Sequence, residues 1–183
     1  SAHVDSFARD RLPPPEQLPQ FLFDGPGLQF PAQLNCATWL LDRHVAEGRG
    51  DRPCILAPGL RWTYRDLQDR ADRIAQVLVQ DMGLVPGNRV LLRAPNTPML
   101  AACWFAVVKA GGIAVATMPL LRAKELQAII DIGQVSHALC DARLADELRQ
   151  AQSASPVLTQ LRLFNGDAAD PLALEPAMAR HDT

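Results

Sequence analysis

Residues 83–117 read GLVPGNRVLLRAPNTPMLAACWFAVVKAGGIAVAT, and the switch of period within this stretch decides the fold. Pro86-Gly87 makes a tight turn into the run from Arg89 to Ala94, which has the length and apolar content of a strand. Thr97-Pro98 then offers an N-cap followed by proline at the first helical position. From Pro98 to Ala110 the chain is apolar almost all round, which predicts a helix covered on most sides. Gly111-Gly112 ends that helix, and Ile113 to Ala116 is a second short, buried strand. Strand, helix, strand in this order is the unit of a parallel sheet.

Working outward gives more of the same alternation. Downstream, residues 123–132 are helical with Leu126, Ile129 and Ile130 as the inner face and Gly133 as the stop. His137 to Cys140 is a strand ending at Asp141, residues 142–152 are helical, and Leu161 to Phe164 is one more strand. Upstream, Thr63 caps a helix with Asp66 in its first turn, a capping-box start. Tyr64, Leu67, Ala71, Ile74, Ala75 and Leu78 form its apolar stripe, and Gly83 closes it. Residues 53–63 read as a hairpin around Pro58-Gly59. Ala37, Leu40, Leu41 and Val45 fall at helical spacing before Gly48 to Gly50. The fold class is therefore α/β, a mainly parallel sheet with helices on both faces and right-handed crossovers. Residues 1–34 are a Pro-rich extended lead-in, 35–164 the α/β subdomain, and 165–183 a loop that leads elsewhere.

At 183 residues the chain has room for one core, burying roughly 70% of its unfolded surface without disulfides. The net charge of -2 and the scattered arginines, read as solvated surface charge, exclude a nucleic-acid or anionic-lipid partner. Cys36, Cys54, Cys103 and Cys140 form no C-x-x-C pair and read as reduced thiols, and the four histidines share no metal-ligand spacing. No metal site is expected. Ser1 stands where an initiator Met would, which suggests a processed end or a cloning scar. The first 20 residues lack a signal-peptide core, and the apolar stretch Met99 to Leu121 is broken by Lys109 and two glycines, short of the ~20 residues that a bilayer needs. The expected location is cytoplasmic, with no membrane contact.

Chemistry is harder to find. There is no G-x-G-x-x-G, no G-x-x-x-x-G-K-[ST] and no G-x-S-x-G. The turn Pro95-Asn96-Thr97-Pro98 has no glycine and lacks two N–H donors, so it is a poor phosphate cradle. Ser136 and His137 are neighbours on a strand, which points them to opposite faces and rules them out as nucleophile and base. Asp66, Asp131, Asp141 and Glu125 read as caps or surface groups, and Trp39, Trp62, Trp104 and Tyr64 as core aromatics. No catalytic residue is assigned.

The stretch from Arg52 to Asp141 resembles the N-terminal region of the adenylate-forming superfamily: acyl-CoA synthetases, luciferases and peptide-synthetase adenylation domains. The resemblance rests on Arg52-Pro53-Cys54-Ile55, Thr63-Tyr64-Arg65-Asp66-Leu67, and Gly83 to Val90. It continues with Pro95-Asn96, Ala106 to Gly112, and Met118-Pro119 followed by Glu125-Leu126. Asn88 stands where relatives usually carry Asp, and Met118 where many carry Asn. Residues Ala116 to Leu126 and the Pro-rich lead-in look most like the benzoate- and 2-aminobenzoate-CoA ligase branch, with medium-chain fatty acid ligases the nearest competitor.

The resemblance implies a two-step reaction. A carboxylate attacks the α-phosphate of Mg-ATP, and the thiol of CoA then displaces AMP from the acyl-adenylate. It also implies that the phosphate loop, the acyl pocket and a catalytic lysine lie downstream, beyond Arg180-His181-Asp182-Thr183. The chain then reads as an inactive N-terminal piece. ATP, Mg and CoA belong to the parent enzyme, and none is expected to bind this piece tightly. Its partners are the remainder of its own enzyme and a small carboxylic acid, and exposed apolar surface would permit a homodimer. Met118, Pro119, Leu120 and Arg122 occupy a loop that in some relatives lies on the CoA entry path, where Arg122 would meet a CoA phosphate; the other reading is that they pack a loop at the subdomain edge. A freestanding α/β binding module stays open as an alternative, and a nicotinamide-binding domain is disfavoured by the missing glycine fingerprint.

Overall fold

A computed structural model describes residues 2–182; the readings made for Ser1 and Thr183 lie outside the described residues. Hairpin strands β1 (Pro53–Ala57) and β2 (Leu60–Thr63) pair antiparallel. Four further strands, β3 (Arg89–Arg93), β4 (Ile113–Thr117), β5 (His137–Asp141) and β6 (Gln160–Phe164), form a parallel sheet in the order β4-β3-β5-β6. Helices α1 (Tyr64–Gln76), α2 (Pro98–Lys109), α3 (Ala123–Gly133), α4 (Ala145–Ala154) and α5 (Leu174–Met178) complete the regular structure.

The layers follow from the direction of the connections. The chain moves from β3 to β4 on one side, then crosses back to β5 and on to β6. Right-handed crossovers in opposite directions must place their helices on opposite faces. Accordingly Val90, Leu92 and Leu139 pack with residues of α1, α2 and α5, while Leu91, Ala138 and Cys140 pack with α3 and α4. In β3 this alternation puts Val90 and Leu92 on one face and Arg89, Leu91 and Arg93 on the other.

Local sequence explains most boundaries. Thr63 Oγ1 accepts from the Asp66 amide at 3.1 Å and Asp66 accepts from the Thr63 amide at 2.9 Å, so the capping box is complete. Thr97 caps α2 through the Leu100 amide. The stop after α3 differs from expectation: Gly133 is its last residue, and Gln134 takes the left-handed conformation at φ 47°. The segment after Cys36 is helical but wide-turned, with π-type turns at Thr38–Asp42 and Val45–Arg49. Residues 165–183, expected to be loop, carry α5, because Leu174, Ala177 and Met178 bury against the α1/α2 side. The stretch Met99 to Leu121 divides into α2 and β4, and no helix among the described residues is long and apolar enough to cross a membrane.

The arginines correct the sequence reading most clearly. Arg89 is 7% exposed and Arg93 is 1% exposed. Trp39 and Trp104, expected in the core, are each 37% exposed, and Asp141, read as a cap or surface group, is a fully buried cap that accepts from the Arg143 amide.

Candidate functional site at the carboxyl edge of the sheet

In an open α/β sheet the crevice between oppositely directed connections lies outside the carboxyl ends of the strands. Here that point falls between β3 and β5. Arg93 ends β3, residues 118–122 follow β4, and Asp141 to Leu144 follow β5. Together they surround a cavity of about 300 Å³ lined in part by Arg93, Pro119, Leu120, Arg122, Arg143 and Glu147.

Arg93 forms the floor. Its guanidinium donates to the carbonyls of Met118 (3.1 Å), Pro119 (3.1 Å), Leu121 (2.8 Å) and Leu144 (3.3 Å). Among the described residues no carboxylate pairs with it directly; four carbonyl dipoles solvate its charge, and the Glu147 carboxylate feels it at longer range. A buried cation without an anionic partner is costly unless its hydrogen bonds are satisfied.

The rim carries two more guanidiniums, each engaged by an acid. Arg122, 77% exposed, donates to Glu147 at 2.9 Å, and the second oxygen of Glu147 accepts from the Ala123 amide at 2.8 Å. Those two contacts, Arg122 first, hold the Glu147 carboxyl below its usual range. Arg143 donates to both oxygens of Asp141 at 2.8 Å, and Asn165 Nδ2 donates to the same carboxylate at 3.0 Å. The Arg143 contact leads in depressing the Asp141 carboxyl and also raises the pKa of Arg143 itself.

The structure therefore brings three of the four sequence-derived candidates, Pro119, Leu120 and Arg122, to one cavity wall. Met118 contributes its backbone carbonyl to Arg93, while its side chain stands exposed. Arg93, Arg143 and Glu147 were missed. An arginine closing an otherwise apolar strand, and another two residues after a strand-ending Asp, were the available signals.

The fit of phosphate to the strand-to-helix junctions can be judged from what their N–H groups already bond. At β3-α2 the Thr97 hydroxyl takes the Leu100 amide, and Pro98 has no donor. At β4-α3 Glu125 takes the Arg122 amide at 2.7 Å and Glu147 the Ala123 amide. After β5 Asp141 takes the Arg143 amide at 3.1 Å. Each junction is capped by the chain's own side chains, so these residues do not fit a Mg-bound triphosphate; only the exposed guanidiniums of Arg122 and Arg143 fit an anion.

A second, apolar cleft of about 560 Å³ opens at the same edge, between the hairpin and α2, lined by residues that include Leu56, Leu92, Asn96, Leu100, Trp104 and Ala116. Trp104 is half-exposed because it walls this cleft. Among the described residues no group of His, Cys, Asp and Glu could hold a metal ion. Ser136 and His137 do hydrogen-bond, at 2.8 Å, contrary to the strand-alternation argument. Ser136 precedes β5, so alternation does not bind it. His137 also meets the Met82 carbonyl at 3.0 Å, and neither residue lines any of the cavities described above.

Comparison with known proteins follows the same lines. The profile of the AMP-binding enzyme family matches residues 42–182. Triostin synthetase I of Streptomyces triostinicus is 33% identical over 126 residues, covering 68% of this chain and 24% of that protein. The salicyl-AMP ligase / salicyl-S-ArCP synthetase of Mycobacterium tuberculosis is 44% identical over 85 residues, 46% of this chain and 14% of the relative. The chain thus spans about a quarter or less of the length of these curated relatives. Among solved structures, the anthranilate CoA ligase AuaEII in complex with anthranoyl-AMP superposes with a TM-score of 0.75 at 20% identity, covering 84% of this chain and 28% of that one.

Proposed function

The chain belongs to the AMP-binding enzyme family, and from that premise we propose that it forms the leading α/β subdomain of an ATP-dependent acyl- or aryl-CoA ligase. The substrate is a small aromatic acid such as benzoate or 2-aminobenzoate, which the salicylate and anthranilate relatives support. The complete enzyme uses ATP, Mg²⁺ and CoA to make an acyl-adenylate and then a thioester. This chain supplies scaffold and one wall of the CoA path, formed by Met118, Pro119, Leu120 and Arg122, with Arg143 opposite. Residues 1–34 serve as lead-in, 35–164 as the subdomain, and 165–183 lead toward the rest of the enzyme, its main partner in the cytoplasm. The exposed aromatic cluster of Phe21, Phe23, Phe30 and Trp39 supports self-association through that face.

One observation carries the assignment of the site: the junction amides are self-capped, while two exposed guanidiniums edge the cavity over β3 and β5. Titration calorimetry tests it. CoA should bind weakly and lose its heat in R122A and R143A, with dephospho-CoA weaker than CoA; Mg-ATP should show nothing tighter than about 1 mM. Micromolar Mg-ATP binding would overturn the scaffold reading. CoA heat unchanged in both variants would overturn the CoA path.

A further inference from the structure

Arg93 is an expensive way to end a buried strand. Volume alone would be served by Met or Leu, and replacing buried charged groups with packed apolar ones is often neutral or stabilising. What an apolar side chain lacks is the fork. A planar guanidinium presents five N–H groups in fixed directions, whereas an ammonium is a single point with three rotatable donors.

Here four of those N–H groups are spent on carbonyls from two separate loops: Met118, Pro119 and Leu121 from the segment after β4, and Leu144 from the turn after β5. β3 lies between the two strands that these loops follow. Arg93 is thus the one side chain among the described residues that is bonded to both walls of the cavity from its floor. The loop has little else to hold it. Leu120 is 79% exposed, and besides the Arg93 bonds two carbonyls of the 118–122 segment are engaged by backbone amides, Met118 by Leu121 at 3.2 Å and Arg122 by Leu126 at 3.0 Å. The Arg122 side chain, 77% exposed, is held by its ion pair with Glu147, a contact of small energetic weight.

We infer that Arg93 is the positioning residue of the carboxyl-edge site: it fixes the 118–122 loop and the Leu144 turn relative to each other, and thereby the separation of Arg122 from Arg143. The inference deepens the proposed CoA path and rests on that reading for its functional meaning, but the positioning itself is independent of any ligand.

Limited trypsin digestion of the 183-residue chain, with no ligand present, tests it. The Arg122–Ala123 bond reports on the loop, and the Arg61–Trp62 bond, in the exposed hairpin, serves as reference. In R93A, cleavage after Arg122 should rise about tenfold relative to cleavage after Arg61, because native-state proteolysis tracks the population of locally opened chain. Millimolar methylguanidinium, which refills the vacated fork, should restore protection. R93K keeps the charge without the fork and should show a few-fold rise at Arg122 alone; it carries the test if R93A does not fold. Equal acceleration at both bonds, no acceleration at Arg122, or failure of methylguanidinium to protect a folded R93A would each overturn the assignment. Loss of the CoA signal described above would leave these outcomes untouched, so the two readings fail separately.

Discussion

Arg89 and Arg93 stand four residues apart on the same face of the same strand, yet the two ends of the sheet treat them in opposite ways. At the amino edge, Arg89 meets the Asp5 carboxylate, donates to the carbonyls of Gly133 (2.9 Å) and Gln134 (2.6 Å), and lies 4.5 Å from the Phe7 ring centroid. The lead-in crosses this edge as a strap: the amides of Val4 and Asp5 both donate to the Pro86 carbonyl at 2.9 Å. Burial opposes ionisation of Asp5, but the Phe7 amide, Arg89 and Asn88 together hold its carboxyl below the usual range. At the carboxyl edge, among the described residues, Arg93 hydrogen-bonds carbonyls and has no carboxylate in direct contact. The amino edge carries a matched charge pair, and a cavity of about 920 Å³ opens beside it at Pro86, Lys109 and Gly111-Gly112; the carboxyl edge has two smaller cavities and no such pair at its buried arginine. Ligand sites in such sheets belong at the carboxyl edge, and the two edges differ in how the buried arginine is held, by a carboxylate of the strap at one and by loop carbonyls at the other.

If that difference matters, the largest effect should come from the strapped edge. R89M leaves Asp5 facing a buried boundary without its partner and should cost about 3 kcal/mol in urea denaturation. R93M, which removes no ion pair, should cost less; the reverse order would break the comparison. G87A comes next. Gly87 has φ 96°, and an added Cβ would run into the Asp5 carbonyl, so the strap must lift. We expect a loss of about 2 kcal/mol, with the Phe7–Arg89 contact broken.

The two ends of β5 sharpen the comparison through pH. His137, at the amino end, has its pKa lowered by burial, with Arg89 adding to the effect. Its folded pKa lies below the unfolded value of 6.5, so the unfolded chain takes up the proton first. The stability it contributes is present above 6.5 and lost as pH falls below it, by at most about 1.4 kcal/mol per unit. Asp141, at the carboxyl end, is likewise depressed, so its contribution persists until pH falls below 3.8. Thermal melts from pH 7 to 5 should therefore weaken the native chain, and H137Q should flatten that slope. An unchanged slope would remove His137 from the account. The smallest effect is at the rim: R122A should leave the melting midpoint where it is, since the Arg122 side chain is 77% exposed and pairs with a single acid, Glu147.

Much of the scaffold was legible because its signals are local. The Thr63 and Thr97 caps, the Gly111-Gly112 stop and the apolar strands each act within a few residues, and each appears where the pattern puts it. The site was only partly legible. Residues 119, 120 and 122 line the cavity, but Arg93 and Arg143 look like any other surface arginine in a one-dimensional pattern. Periodicity marks apolar faces; it says nothing about which end of a strand a loop will cover. Ser136 and His137 failed for a related reason, since alternation governs residues within a strand and Ser136 stands just before one.

By itself, then, the sequence determined the alternation of strands and helices, hence the α/β class and a sheet covered on both faces. Propensity, capping and the pull of apolar surface from water fix those features along the chain. Which strands lie side by side, and so where the switch point falls, was decided by tertiary packing. The order β4-β3-β5-β6 brings two loops distant in sequence onto one arginine. A guanidinium buried among carbonyls from residues 25 to 51 positions away is a property of that packing, because no local interaction selects partners so far along the chain.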